Sequence, residues 1–286
     1  MTQRPLLAVA ALAAALGLGL GASAHAETTQ APLKDVHWSF DSPVGMYNQE
    51  QLQRGYKVYH EVCSACHSMN LVAFRNLADK GGPFWNPAYP NPNDNPVAKA
   101  LAAQAQYDTI DSETGQPTKR PGTTADYFPS PFPNETAARA ANNGALPPDM
   151  SLLAAAREGG ARYIYSIVTG DGTTPPAGLQ VPDGKYYDPY MPGDLTSFWK
   201  GDPNKVPVGG FIAMPPPLVD DRVTFDDGTK ATLDQEARDV AAFLAWASDP
   251  TADERKQLGV EVMIFLLVFT GLLYASYRSI WRKVGH

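Results

Sequence analysis

The chain has 286 residues, of which 44% are hydrophobic, a length that suits one sizeable domain with extra segments or two modest domains. A formal net charge of −7 argues against a nucleic-acid partner, because phosphate backbones select basic surfaces. The 26 prolines and 24 glycines predict long connections between the elements.

The N-terminus has the pattern of a secretory signal peptide over residues 1–26. Arg4 supplies the positive charge, an apolar run covers Leu6 to Leu20, and Ala24-His25-Ala26 is a small-x-small cleavage site. An N-terminal membrane anchor is the alternative, but the run is short and rich in Ala and Gly. We therefore expect the mature chain to begin at Glu27 and to be exported.

The exported body, residues 27–257, begins with a helical pattern. Leu52, Tyr56, Tyr59 and Cys63 recur at three- and four-residue steps, and Asn48 is suited to cap the first turn. The predicted helix therefore carries Cys63 to its C-terminal end.

An insertion at about 81–133 follows, dense in proline, asparagine and aromatic residues. A short alanine-rich helix is predicted within it at 97–106. We expect the insertion to be an ordered covering loop rather than a disordered linker, because its aromatic side chains favour burial.

Helical patterns return in the second half of the body. The sequence predicts helices over 134–144, 147–160, 161–170 and 232–248, the last with Thr232 and Gln235 in a capping-box pattern. A β-hairpin is predicted over 223–232, with Asp227-Gly228 as its turn. The expected fold is mainly α-helical, with long loops and almost no sheet.

The C-terminal segment 258–277 predicts one transmembrane helix. Twenty residues span about 30 Å, the thickness of a hydrocarbon core, and only Glu261 among them is charged. The basic tail 278–286 should remain cytoplasmic. A buried core helix is the alternative, but this segment is apolar on every face. Because the tail is basic while the whole chain carries a net charge of −7, the excess of acidic residues lies in the exported body.

Only two cysteines are present, and they form the pattern Cys63-x-x-Cys66-His67. A disulfide, a redox dithiol and a zinc site are alternatives, but the strand–turn–helix context of a dithiol and a second pair of zinc ligands are missing. Cys-x-x-Cys-His is the attachment pattern of c-type haem, in which both thiols form thioethers and the histidine binds iron. Together with export, the pattern predicts one covalently attached haem c.

Several residues are candidates for the second iron ligand. A methionine thioether favours reduced iron. Met191 and Met214 both precede proline in irregular stretches, and the three prolines after Met214 favour it because they stiffen its backbone. The other methionines and His37 and His60 are weaker candidates. Arg157, Arg162 and Tyr163 are candidate partners for the haem propionates, with a solvated helix face as the alternative.

These segments resemble the cytochrome c1 family, the haem-bearing subunits of cytochrome bc1 complexes. The resemblance covers almost the whole mature chain, in order, and rests on the segments "VCSACHSMNLVAFRNL", "AARAANNGALPPDMSLLAAAREGGARYIYS", "YYDPYMPGDL", "GFIAMPPPL" and "DDGTKATLDQEARDVAAFLAWASDP", followed by one span and a basic tail. It implies a class I cytochrome c fold with long loop insertions, of bacterial type.

The resemblance also implies roles for individual residues. Cys63 and Cys66 would be the thioether residues, with His67 and Met214 as the iron ligands. Arg157 would contact a haem propionate and Tyr163 would line the haem, while Asn142 and the Pro147-Pro148 turn would form another part of its wall. Nothing functional is carried onto 81–133.

The implied function is electron transfer from the Rieske iron–sulfur subunit to a soluble or membrane-anchored cytochrome c. Cytochrome b, the Rieske subunit and membrane lipid are the implied partners, in a dimeric complex of a bacterial inner membrane with the haem domain in the periplasm. No substrate chemistry is expected of the subunit itself. The alternatives are a stand-alone membrane-anchored cytochrome, the donor subunit of a terminal oxidase, and an exported haem enzyme or sensor.

Overall fold

A computed structural model describes residues 30–282, so the predicted signal peptide and the last residues of the basic tail lie outside the described residues. Within this range the chain is mainly helical with four short strands, which confirms the predicted fold class. The helices are α1 (Gln49–Glu61), α2 (Pro96–Gln104), α3 (Glu135–Ala141), α4 (Ala161–Gly170), α5 (Leu233–Ser248) and α6 (Ala252–Trp281). The strands are β1 (Gln106–Ile110), β2 (Pro117–Pro121), β3 (Tyr186–Asp188) and β4 (Gly210–Ile212).

The predicted N-terminal caps of the two principal helices are both present. The side-chain oxygen of Asn48 accepts a hydrogen bond from the Gln51 N–H at 2.8 Å, which starts α1. Thr232 accepts from the Gln235 N–H at 3.2 Å and starts α5. The Gln235 side chain does not return to the cap but donates to Asp239, so the capping box is only half formed.

The hydrophobic core lies where α1 crosses α5. A Cβ atom placed on Gly55 would lie 2.0 Å from the Asp239 carbonyl oxygen and 2.7 Å from the Phe243 Cβ. Glycine therefore allows the two backbones to approach closely. Tyr56 stands on the same helix face, with its ring centroid 5.7 Å from that of Phe243 in an edge-on arrangement.

A buried polar network joins the same two helices. The Asp239 side chain is fully buried and accepts hydrogen bonds from Arg54 Nε at 2.7 Å and Gln51 Nε2 at 2.9 Å. Gln235 Nε2 donates to the same carboxylate at 2.9 Å. A buried carboxylate is costly unless it is paired, and three donors here compensate its desolvation.

We expect the substitution Asp239→Ala to lower the free energy of unfolding by about 3 kcal/mol, because it leaves the partly buried Arg54 and two amides without their shared acceptor. Chemical denaturation of the purified chain measures the loss. Asp226→Ala is the control, since the Asp226 side chain is 87% exposed and, among the described residues, forms an ion pair only with Lys57; we expect a change below about 0.5 kcal/mol. Equal losses in the two variants would contradict this interpretation of the network.

The insertion is ordered around the helix predicted at 97–106, which is found at Pro96–Gln104. A hairpin that the sequence reasoning missed follows directly, with β1 antiparallel to β2 and Asp108 opposite Lys119. Phe84 and Phe128, at the two ends of the insertion, both pack edge-on against Tyr56. The insertion therefore covers α1 through its aromatic side chains.

The predicted helix over 147–160 is wrong: this segment consists of turns. The Asp149 carboxylate accepts hydrogen bonds from Ser68, Asn70 and Ser151 instead of capping a helix. Gly159 and Gly160 have φ angles of 88° and 54°, outside the right-handed helical region. The hydrogen bonds to Asp149 thus outweigh the helix propensity of the alanines at 154–156.

The predicted hairpin over 223–232 is also wrong. Asp227-Gly228 does form a turn, with Gly228 at a φ of 77°, but no strands flank it. The Val223 N–H donates to the buried Glu236 carboxylate of α5 at 3.1 Å instead of pairing with a second strand. Val223 and Phe225 are buried in the core cluster, so this segment packs as an irregular loop.

Helix α6 agrees with the predicted membrane anchor. It has 30 residues, or about 45 Å of helix, and none of its most apolar window is buried within the described structure. Its length and composition are sufficient to cross a membrane. Only a short connection, Asp249 to Thr251, separates it from α5.

Candidate haem-binding site

The two cysteines and His67 lie in one tight turn at the end of α1. The Cys63 carbonyl accepts hydrogen bonds from the N–H groups of Cys66 at 3.1 Å and of His67 at 2.9 Å. Both cysteines are free, and burial raises the pKa of the Cys63 thiol to about 12. A redox dithiol needs a readily formed thiolate, and burial disfavours one at Cys63.

The His67 side chain is buried and its tautomer is fixed. Its Nδ1 lies 2.9 Å from the Pro148 carbonyl oxygen, which can only accept, so Nδ1 carries the proton. Burial also lowers the pKa of the ring, which favours the neutral form. Nε2 is therefore left with a free lone pair in a ring of fixed orientation, as metal-ligating histidines require.

Asp149 holds the histidine segment against the Pro148 segment, a role that the sequence reasoning missed. Its Oδ2 accepts from Ser68 Oγ at 2.7 Å and from the Asn70 N–H at 2.8 Å, while its Oδ1 accepts from the Ser151 N–H at 2.8 Å. A local signal was present in the sequence, because an Asp side chain commonly accepts from the backbone N–H two residues later in an Asx-turn, as Asp149 does from Ser151.

The two candidate methionines follow the paired strands β3 and β4. These strands are antiparallel, with Tyr187 opposite Phe211, so the segments that carry Met191 and Met214 leave the same small sheet. Both methionines are partly buried. The Tyr163 hydroxyl lies 3.8 Å from the Met191 sulfur and donates to it, whereas no hydrogen bond involves the Met214 sulfur within residues 30–282.

The remaining candidates are placed as follows. Arg157 is exposed; its guanidinium donates to the neighbouring Ala156 carbonyl at 3.2 Å and has no carboxylate partner in the described part of the chain. Arg162 instead donates to the Val36 carbonyl and lies near Asp41. Of the two arginines, Arg157 is thus the one left able to bind another anion.

Asn142 and Pro147 lie on the segment between α3 and Pro148, whose carbonyl accepts the hydrogen bond from His67. The Asn142 amide donates to the Ala138 carbonyl at 2.7 Å and so ends α3. Pro147 is partly buried and directly precedes Pro148. Among the weaker ligand candidates, His60 stacks on Tyr56 with ring centroids 5.6 Å apart, and His37 lies near Asp35 and Asp41.

Two buried carboxyl groups lie between α4 and β3. Asp188 is fully buried; its Oδ1 accepts from the Tyr190 N–H at 2.7 Å. Its Oδ2 and both side-chain oxygens of Asp171 have no hydrogen-bond partner among the described residues. Burial raises the pKa of Asp171 to about 7, with Asp188 adding repulsion, and burial raises the pKa of Asp188 to about 6.

These raised pKa values predict that stability falls as pH rises from about 4 to about 7. The unfolded carboxyl groups lose their protons near pH 4, while the folded groups keep theirs until about pH 6 or 7. We expect Asp171→Asn to remove part of this slope and to stabilise the protein by about 2 kcal/mol at pH 8, with no gain at pH 4. Denaturation at several pH values measures the effect; a gain that does not depend on pH would contradict it.

Comparison with known proteins identifies the family. A sequence model of the Cytochrome C1 family matches residues 38–284. The chain belongs to the cytochrome c1 family. Cytochrome c1 of Rhodospirillum rubrum is 42% identical over 92% of this chain and 92% of its own length. The mitochondrial cytochrome c1 heme protein of Kluyveromyces lactis is 43% identical, over 86% of this chain and 73% of its own length.

A third relative is named for a complex. The mitochondrial cytochrome b-c1 complex catalytic subunit of Candida albicans is 42% identical over 86% of this chain and 74% of its own length. These matches confirm the resemblance to the cytochrome c1 family.

Membership of the cytochrome c1 family implies a haem c, and the residues present fit such a group. Two free thiols lie one helical turn apart beside a neutral imidazole whose Nε2 is unblocked. Among residues 30–282, no cluster of three or more His, Cys, Asp or Glu side chains could hold a metal ion by itself. This donor set suits a porphyrin attached to both thiols better than zinc.

Proposed function

We propose that Cys63 and Cys66 would attach one haem c and that His67 and Met214 would bind its iron. The observation that carries this proposal is the hydrogen bond from His67 Nδ1 to the Pro148 carbonyl, beside two free thiols. It fixes the ring so that Nε2 can bind iron. When bound, haem c supplies a one-electron iron couple.

The chain's own residues would hold this group and set its properties. The Asp149 cross-links keep His67 and Pro148 together, and Pro215 to Pro217 restrict the backbone that carries Met214. Arg157, exposed and without a carboxylate partner in the described residues, would pair with a propionate. Tyr163, Asn142 and Pro147 would line the group. A thioether ligand would favour the reduced iron and raise the potential.

The proposed role is that of electron relay in a quinol–cytochrome c oxidoreductase. The donor would be a Rieske iron–sulfur subunit and the acceptor a soluble or membrane-anchored cytochrome c. Two observations support this proposal: membership of the cytochrome c1 family, and a Candida albicans relative named as a subunit of a cytochrome b-c1 complex. Cytochrome b would be the other partner, in a dimeric complex. With His67 and Met214 both binding the iron, the subunit would perform no substrate chemistry.

The proposed domain organisation follows from the same features. Residues 1–26 would be removed as a signal peptide, 27–257 would form the periplasmic haem domain, and 258–277 would cross a bacterial inner membrane. The tail 278–286 would remain cytoplasmic, because basic residues next to a span stay on that side. Helix α6 supports the proposed span, since it is long and apolar enough to cross a membrane.

The acidic body would guide a basic acceptor. Some acidic side chains are engaged within the protein, since Asp226 pairs with Lys57 and Asp227 with Arg54. We expect reduction of a basic cytochrome c to slow as ionic strength rises, because salt screens attraction between opposite charges. Stopped-flow measurements over a range of salt concentrations test this. A rate that is constant across the range would exclude charge steering.

The test of the proposed function is purification in mild detergent followed by visible spectroscopy. We expect a covalently bound haem c, together with a haem b protein and an iron–sulfur protein. Haem c without these partners would instead indicate a stand-alone cytochrome or an oxidase donor subunit. A colourless chain, or a ferrous form that binds carbon monoxide readily, would overturn the electron-relay proposal.

A further inference from the structure

An exposed apolar pair lies on the loop that precedes α1. Val44 is 69% exposed and Met46, two residues later, is 52% exposed. Isolated exposed apolar residues are ordinary, but here both stand on one short loop whose position is fixed. We call residues 40–47 the base loop.

The base loop is held rigidly by hydrogen bonds within residues 39–47. Ser39 Oγ donates to the Met46 carbonyl at 2.7 Å, and the Gly45 N–H donates to the Ser42 carbonyl at 3.0 Å. A Cβ atom on Gly45 would lie 2.1 Å from the Ser39 carbonyl oxygen, so glycine is needed for this compact turn. The exposure of Val44 and Met46 is therefore imposed by a defined conformation.

The same loop is attached to the first turns of α6. Lys256 Nζ donates to the Phe40 carbonyl at 2.6 Å and to the Gly45 carbonyl at 3.0 Å. The Asp253 carboxylate accepts from the Tyr47 N–H at 3.1 Å. The loop thus lies beside residues 253–256 of this helix.

The apolar part of α6 begins immediately beyond these contacts. Leu258 is two residues after Lys256, or about 3 Å along the helix axis. Leu258, Val260 and Val262 are all more than 40% exposed and continue into the proposed span. The base loop therefore lies beside the turn of α6 that precedes its exposed apolar residues, at the level where the helix would enter the bilayer.

We propose that the base loop is a second membrane contact, in which Val44 and Met46 insert into the interfacial region of the phospholipid bilayer beside α6. Two side chains form too small a patch for a stable protein interface, which needs about 800 Å² on each partner. Lipid needs no such matched surface, because binding at the membrane interface depends on how much apolar area is buried. The contact would orient the haem domain over the membrane.

This inference rests on the proposed membrane span but not on the haem ligands. Its test uses the full chain with haem, reconstituted in phosphatidylcholine nanodiscs, with a nitroxide label on Met46→Cys. Oxygen concentrates in lipid and a nickel chelate stays in water, so the collision rates of the label with the two reagents report its surroundings. Val219→Cys is the matched control. Val219 is 53% exposed and lies near the N-terminal end of α5, whereas α6 follows the C-terminal end of that helix.

We expect the label on Met46→Cys to gain collisions with oxygen and lose collisions with the nickel chelate when compared with the label on Val219→Cys. Val44→Cys, labelled in the same way, should behave like Met46→Cys and gives a second reading if one variant folds poorly. Equal chelate access at the base loop and at Val219 would overturn the proposal. A base-loop label closed to both reagents would overturn it as well, since a protein partner would then cover the loop.

A control separates this proposal from the proposed function. The unsubstituted chain should take up no label, because both native thiols would be attached to haem. Labelling of Cys63 or Cys66 would count against the haem attachment and leave the lipid exposure of the base loop to be judged from the collision rates alone.

Discussion

Replacing Met214 by leucine is expected to abolish the weak absorption band that sulfur–iron ligation gives at the long-wavelength end of the oxidised haem spectrum. It should also lower the reduction potential of the haem by on the order of a few hundred millivolts. The thioether stabilises ferrous iron, and axial ligands are among the strongest determinants of haem potentials. The substitution preserves an apolar side chain of similar volume, so the domain should still fold. Oxidised-state absorption spectra and a redox titration measure both effects.

Met191→Leu is the matched control for this experiment. Met191 follows the strand paired with β4, is also partly buried, and accepts a hydrogen bond from Tyr163. We expect its replacement to keep the band and to change the potential far less. If Met191→Leu loses the band while Met214→Leu retains it, Met191 is the ligand and the assignment is reversed. Readily formed carbon monoxide complexes of ferrous Met214→Leu would further support an opened axial position.

The second large effect is expected at the crossing of α1 and α5. Gly55→Ala would place a methyl group 2.0 Å from the Asp239 carbonyl oxygen, and neither backbone can move away without disturbing the core around Phe243. We expect a loss of about 3 kcal/mol or more in the free energy of unfolding, which corresponds to roughly 10 °C in the midpoint of thermal unfolding. Haem incorporation should fall too, because α1 positions Cys63.

The control is Gly259→Ala, since Gly259 also lies within a helix but nothing approaches the position of an added Cβ within 4 Å. Alanine is the better helix former by about 1 kcal/mol, so this variant should be no less stable than the original chain. Thermal unfolding followed by far-ultraviolet circular dichroism compares the two variants. Similar midpoints would show that the helices can separate at Gly55 without cost.

Much of the local structure could be predicted because it depends on residues that are close in sequence. Asn48 and Thr232 cap α1 and α5 as expected, since a cap needs only a side-chain oxygen and an N–H three residues later. The helix over 258–277 could be predicted from the length and apolar composition of that segment alone. The attachment pattern at Cys63, Cys66 and His67 is equally local, and the structure places all three in one turn.

The two wrong predictions, the helix over 147–160 and the hairpin over 223–232, concern segments that form hydrogen bonds with residues from other parts of the fold. Residues 147–160 have helical composition, but Asp149 is engaged by Ser68 and Asn70, about 80 positions earlier in the chain. The segment 223–232 has hairpin composition, but Val223 donates to Glu236 of α5. Neither partner could be identified from local periodicity, because nothing in the sequence indicates which segments will meet.

By itself, the sequence determined that the chain is mainly helical, that it has one long apolar helix near its C-terminus, and that a cysteine pair and a histidine stand together at the end of the first helix. Those features follow from periodicity, length and spacing along the chain. The tertiary structure alone decided that the Pro148 carbonyl fixes the tautomer of His67, that Gly55 lies against Asp239, and that the base loop lies beside the start of α6. Each of these depends on two segments far apart in the chain, and only folding sets the distance between them.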